Sequence, residues 1–189
     1  NAALVFFVLH LLVYPASNGY NSYYDKDDTP VGGLLSPPQV NSRLIYLVWV
    51  FDTLALILAS VLSFTFAAAV WVYLLVSKAY SNPAIRLKKM PILGTFTVIF
   101  FQGFFTYTST LIGFGQSIET ALHTDSFMCA AVSSLFLLGS YPLTQVYQHA
   151  EDKARGDITL SVLLGMKGTF LFSAINLTFG ASLQRCWSC

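Results

Sequence analysis

Leu44-Ile-Tyr-Leu-Val-Trp-Val-Phe-Asp52-Thr-Leu-Ala-Leu-Ile-Leu-Ala-Ser60-Val-Leu-Ser63-Phe-Thr-Phe-Ala-Ala-Ala-Val-Trp-Val-Tyr-Leu-Leu-Val-Ser77 decides the fold, because it holds one charge, Asp52, between residues 44 and 77. A helix rises about 1.5 Å per residue, so about 20 apolar residues cross the hydrocarbon of a bilayer. The stretch is long enough for two short spans in a tight hairpin, and the sequence predicts the turn at Ser60 to Ser63.

The same criterion, applied outward, gives six candidate spans, roughly 1–17, 43–61, 63–79, 91–115, 125–148 and 168–184. The composition agrees. Of 189 residues, 55% are hydrophobic and 10% are charged, against about a quarter charged in soluble domains. Mean hydropathy is +0.62. The expected fold is all-α, a polytopic bundle in one transmembrane domain, since lipid tolerates only helices and closed barrels and no period of two recurs. A net charge of +1 excludes neither partner class, but the basic stripe of a nucleic-acid binder is absent, and no nucleic-acid partner is expected. Pro15, Pro91 and Pro142 lie near or within spans, where neighbouring helices absorb kinks. Three cysteines make no disulfide framework. Cys129 reads as a small hydrophobe, and Cys186-Trp-Ser-Cys189 has neither a second pair nor a βαβ setting. The apolar start at Asn1, without a basic leader, and the abrupt end at Cys189 are expected to be cuts within a longer chain.

Charge sets the expected orientation. Lys26 and Arg43 fall between spans one and two. Lys78, Arg86, Lys88 and Lys89 fall between three and four, and Lys153, Arg155 and Lys167 between five and six. The loop near 116–124 has no Lys or Arg. The positive-inside rule makes the basic side cytoplasmic.

Two polar patches end spans on that side. The first is Asn18-Gly-Tyr-Asn21-Ser-Tyr-Tyr-Asp25-Lys-Asp27-Asp28, and the second is Gln148-His-Ala-Glu151-Asp152-Lys-Ala-Arg155-Gly-Asp157. If the first helix continues past Pro15, Asn18, Asn21, Asp25 and Asp28 share one face, and Gln148 and Asp152 are an i, i+4 pair. Carboxylate and amide oxygens at helix ends suit Mg²⁺, a hard octahedral ion usually shared with phosphates. Asn18, Asn21, Asp25, Asp28, Gln148 and Asp152 are therefore the candidate metal residues. Arg86, Lys88, Lys153 and Arg155 are the candidate diphosphate residues, Arg by bidentate bonds. The plainer reading is that such residues are helix caps and solvated loop. Two patches on one side, each beside basic residues, favour a site.

The patches resemble the motifs of the UbiA superfamily of intramembrane prenyltransferases. Asn21-Ser-Tyr-Tyr-Asp25-Lys-Asp-Asp-Thr29 stands where the family writes N-D-x-x-D-x-x-x-D. Gln148-His-Ala-Glu-Asp152 stands for D-x-x-x-D, followed by Gly156-Asp-Ile-Thr159-Leu160, similar to a G-x-x-T-L tail. Tyr80-Ser81-Asn-Pro83-Ala-Ile-Arg86-Leu87-Lys88 resembles a Y-S-x-P-P-x-x-L-K loop. The resemblance covers essentially the whole chain. It implies nine helices, of which these six spans correspond to the second through the seventh. Ser22, Thr29 and Gln148 replace three motif aspartates, which weakens the expected hold on Mg²⁺.

The resemblance implies Mg²⁺-dependent transfer of a polyprenyl group from its diphosphate to an aromatic or quinone-precursor acceptor. The metal stabilises the leaving diphosphate, and aromatic faces in a water-poor pocket stabilise an allyl cation. Trp49, Phe51, Phe104, Phe105, Tyr107 and Tyr141 are available for such a wall, although aromatics in spans more often face lipid or pack. Asp52, charged within a span, is a functional candidate by default; it orients the acceptor or bonds a neighbouring helix. His149 is a candidate acceptor-side residue or an ordinary surface histidine. The loop 26–42 reads as a lid or a plain linker. The alternative function is a non-catalytic protein of the same fold that binds lipid diphosphates or transports a small molecule.

Overall fold

The computed structural model describes residues 1–26 and 39–188, without the side chains of residues 151, 155 and 188. Among the described residues the chain is helical with no strand. Six helices are long and apolar enough to cross a membrane: α1 (Ala2–Asp25), α2 (Leu44–Leu62), α3 (Phe64–Ser81), α4 (Pro91–Gly113), α6 (Thr124–Gln148) and α8 (Leu160–Trp187). Two short helices complete the order, α5 (Ile118–Ala121) between α4 and α6 and α7 (His149–Arg155) after α6. The architecture is the all-α multi-pass membrane bundle that the apolar runs predict.

The chain forms two compact units. One holds residues 1–26, 39–86 and 109–121, and the other holds 87–108 and 122–188. In the first unit, α1 buries Val5, Val8, Leu9, Leu12, Val13, Ala16 and Tyr20. These recur at three- and four-residue intervals and make one stripe. α2 buries Val48, Asp52, Ala55 and Ala59 at the same spacing. Small residues let the helix axes approach closely where lipid offers no hydrophobic drive. Gly19 is the close approach on α1: a Cβ there would lie 3.1 Å from Val48 Cγ2.

The α2–α3 turn is a single residue. Ser63 is extended (φ −166°, ψ 153°), and its hydroxyl accepts a hydrogen bond from Phe66 N at 3.0 Å, capping α3. Helix one does continue past Pro15, as far as Asp25. It widens to a π-helix over Phe7–Val13, which absorbs the missing proline N–H one turn later.

In the second unit, α4 carries a π-helical segment over Phe100–Phe105. Ser134 of α6 fits into it: its hydroxyl donates to Ile99 O at 3.1 Å and accepts from Phe104 N at 2.9 Å. Gly103 makes room for Ser134, since a Cβ at 103 would lie 2.5 Å from the Ser134 hydroxyl oxygen. Phe96, Phe100 and Phe104 stack along α4, both pairs inclined by 11°.

The sixth span begins at Leu160 rather than near 168. Its first turn is separated from the rest by Gly165 (φ 65°, ψ 171°), a conformation open to glycine. Thr169 bridges the kink by donating to Gly165 O at 2.8 Å. Lys78 and Lys167, counted among the loop cations by their sequence position, both lie inside helices. An apolar run alone cannot mark where a capped helix starts. Here Thr159 supplies the start, its hydroxyl 3.4 Å from Val162 N.

Candidate functional site

The two polar patches fall in different units, and each stands on its own contacts. In the first unit, Asn21 and Asp25 occupy the last turn of α1, both half-buried. Their spacing puts them on one face. Lys26 follows in the left-handed conformation (φ 49°), and its N–H returns to Ser22 O at 3.0 Å, closing the helix. The carbonyl end of a helix is its negative pole, so this tip attracts cations even before Asp25 adds its charge.

α1 is tied to the end of α3. Ser81 is buried and donates its hydroxyl to Asn21 Oδ1 at 2.6 Å. Asn82 Nδ2 donates to the Tyr20 hydroxyl at 3.0 Å. Asn82 also shapes the turn that follows: its Oδ1 accepts from Ala84 N at 2.9 Å, and its carbonyl accepts from Arg86 N at 2.7 Å. Arg86 is half-buried at φ 47°, a left-handed conformation that costs a non-glycine residue energy.

Asp52 lies in the middle of α2, with Lys78 reaching it from α3. Lys78 Nζ is 2.7 Å from Asp52 Oδ2, and the side chains are 13% and 7% exposed. Asp52 Oδ1 is buried with no hydrogen-bond partner among the described residues. The ammonium lies 5.0 Å from the ring centre of Tyr20 and 5.8 Å from that of Trp49, within cation–π range.

In the second unit, Gln148 ends α6 and is half-buried, and Asp152 lies one turn on, in α7, and is buried. Thr159 donates to Asp152 Oδ2 at 3.1 Å. Asp157 N donates to the Asp152 carbonyl at 2.8 Å, and Gly156 takes the left-handed cap position at φ 73°. The 156–160 segment thus wraps the second carboxylate.

Below it runs a buried polar chain. Ser161 N donates to Gln145 Oε1 at 3.2 Å. The Ser161 hydroxyl lies 2.6 Å from His149 Nε2 and 3.0 Å from the Thr169 hydroxyl. Thr169 donates to Gly165 O, so the chain links His149, Ser161, Thr169 and the Gly165 carbonyl.

Of the other candidates, Lys88 is half-buried in the turn Leu87–Lys89 and Lys153 is exposed. Asp28, Thr29 and most of the 26–42 loop lie outside the described residues, as does the Arg155 side chain. Lys78, Ser81, Asn82, Gln145, Thr159, Ser161 and Thr169 carry the contacts around the patches. The signal for Lys78 was present in sequence: opposite charges in consecutive apolar spans pair across a hairpin.

Among the described residues, no three His, Cys, Asp or Glu side chains gather into a metal cluster. The donors fit Mg²⁺ in the way it usually binds, by one or two carboxylates with the remaining positions left to water and phosphate. Among the described residues, each patch sets an amide oxygen one helical turn from a carboxylate, Asn21 with Asp25 and Gln148 with Asp152. Asn21 Oδ1 already accepts from Ser81 and keeps a second lone pair. No protein-family model, no curated protein and no solved structure matches this chain.

Proposed function

We propose that the chain belongs to a UbiA-like intramembrane prenyltransferase, which moves a polyprenyl group from its diphosphate to a lipophilic aromatic or quinone-precursor acceptor. One observation carries this reading. The loops that resemble the family's accessory motifs bond directly to the residues that resemble its metal motifs. Ser81 of the Tyr80–Lys88 segment holds Asn21, and Thr159 of the Gly156–Leu160 segment holds Asp152. The Ser81–Asn21 bond carries the weight, since it joins segments 60 residues apart that a chance likeness would have no reason to bring together.

Asn21 and Asp25, and Gln148 and Asp152, would hold Mg²⁺, with Asp25 and Asp152 as the charged donors. When bound, the metal offsets the charge that builds on the departing diphosphate. Arg86, Lys88, Lys153 and Arg155 bind its oxygens, Arg through a fork and Lys as a point charge. Ser81 and Thr159 fix the orientation of the oxygens they touch, as outer partners of metal ligands do. In this reading the six apolar helices cross the membrane alternately. Lys78 and Lys167 lie inside helices, and under the positive-inside rule the loop cations Lys26, Arg43, Arg86, Lys88, Lys89, Lys153 and Arg155 would make their side cytoplasmic.

Membranes carrying the full-length protein, given labelled prenyl diphosphate, Mg²⁺ and a panel of hydroxylated aromatic acceptors, test the reading. Labelled lipophilic product supports it. Saturable binding without product supports instead a non-catalytic lipid-diphosphate binder of the same fold, a reading favoured by Gln148 and Ser22 at aspartate positions.

A further inference from the structure

We infer that Asp52 and Lys78 are positioning residues for the Asn21–Asp25 tip of α1. Lys78 lies one turn before the end of α3. A lysine there can stretch outward to headgroups and water, the low-cost arrangement for a cation near a helix end. It instead follows the backward tilt of helical side chains and reaches Asp52, in the middle of α2. A buried ion pair returns about what its desolvation costs, so stability alone does not account for this choice.

The pair gives direction to the tip. The ammonium is held in place by Asp52 beneath the Tyr20 ring, 5.0 Å from its centre. The Tyr20 hydroxyl is held from α3 by Asn82, and its neighbour Asn21 is held by Ser81. Charge, ring and amide contacts therefore fix residues 20 and 21 of α1 against residues 78 and 81 of α3 and Asn82, which caps it. The plane of Tyr20 sets the rotation of the last α1 turn, and with it the direction of Asn21 and Asp25. The link to metal binding rests on the prenyl-transfer reading; the link to the α1 tip does not.

The test uses the full-length protein in nanodiscs, as parent, Asp52→Asn/Lys78→Met and Asp52→Glu. The first variant removes both charges at similar volume, and the second keeps the pair. Amide hydrogen exchange is read over residues 18–25 and over the helix interiors 5–16 and 66–74. The Mg²⁺ concentration for half-maximal prenyl transfer is read in parallel. The expected result is a folded neutral variant whose exchange over 18–25 rises about tenfold with both interiors unchanged. Its Mg²⁺ requirement rises about fivefold or more, and Asp52→Glu stays near parent in both readouts. A folded neutral variant with parental exchange over 18–25 overturns the inference. A purely structural role predicts a lower melting temperature with an unchanged Mg²⁺ requirement, which also overturns it. Should the neutral variant fail to fold, Tyr20→Leu keeps both charges and removes the intervening ring. Parental exchange at 18–25 in that variant overturns the inference as well. A parent protein without transfer activity counts against the prenyl-transfer reading, and the exchange data then decide the positioning role alone.

Discussion

Lys78 Nζ sits 2.7 Å from Asp52 Oδ2, with both side chains largely buried between two membrane-length helices. Removing one partner strands the other charge in an apolar surround, at a cost of about 3–5 kcal/mol, whereas removing both costs far less. Thermal unfolding in detergent should therefore show Asp52→Asn and Lys78→Met each well below the parent, with the double variant more stable than either. Additive losses would mean that the two charges do not depend on each other.

Gly103 marks a close helix approach in the second unit. A Cβ there would meet the Ser134 hydroxyl at 2.5 Å and also Ser134 Cα at 2.7 Å and N at 2.9 Å. Because two of the three clashes are with backbone, Gly103→Ala should destabilise strongly, and adding Ser134→Gly should not restore the melting temperature. Ser134→Ala alone removes one donor and one acceptor from the widened α4 turn, a loss of about 1–3 kcal/mol.

Thr159 both caps α8 and orients Asp152. Thr159→Val keeps the shape and removes the hydroxyl. Its effect on stability should be small, about 1 kcal/mol. Under the prenyl-transfer reading its effect on the Mg²⁺ concentration needed for transfer should be large, about tenfold, the size seen when a partner that orients a metal ligand is lost. A melting shift with an unchanged Mg²⁺ requirement would confine Thr159 to capping.

The proposed orientation is testable by thiol labelling. In a background with Cys129, Cys186 and Cys189 replaced, Lys153→Cys should react with an impermeant maleimide only after the membrane is opened. Ser117→Cys, on the turn before α5, should react in intact cells. The opposite pattern would invert the topology.

How far the sequence could be read depends on the kind of signal each feature leaves. Span existence was legible because about 20 apolar residues with one charge admit few alternatives. The α2–α3 hairpin followed from length alone, and its turn falls at Ser63, the last residue of the predicted range. The start of α8 was not legible, because Thr159, Ser161 and Gly165 look like loop residues until Thr159 is seen bonded to Asp152, Ser161 to Gln145 and Gly165 to Thr169. Lys78 was read as a loop cation for a similar reason: a charge near a helix end usually turns outward, and only the position of Asp52 across the hairpin draws it in. Asn21, Asp25, Gln148 and Asp152 could be named from spacing, and Ser81 and Thr159 stood in the neighbouring motif segments, but that Ser81 bonds Asn21 across 60 residues and Thr159 bonds Asp152 could not be read from spacing.

The central claim is that Asp25 and Asp152 both serve prenyl transfer. Initial rates with labelled prenyl diphosphate, saturating Mg²⁺ and a hydroxylated aromatic acceptor, compared among parent, Asp25→Ala and Asp152→Ala at matched folded protein, test it most directly. The account predicts turnover by the parent and a loss of about 100-fold or more in each variant. A parental rate in either variant would contradict it.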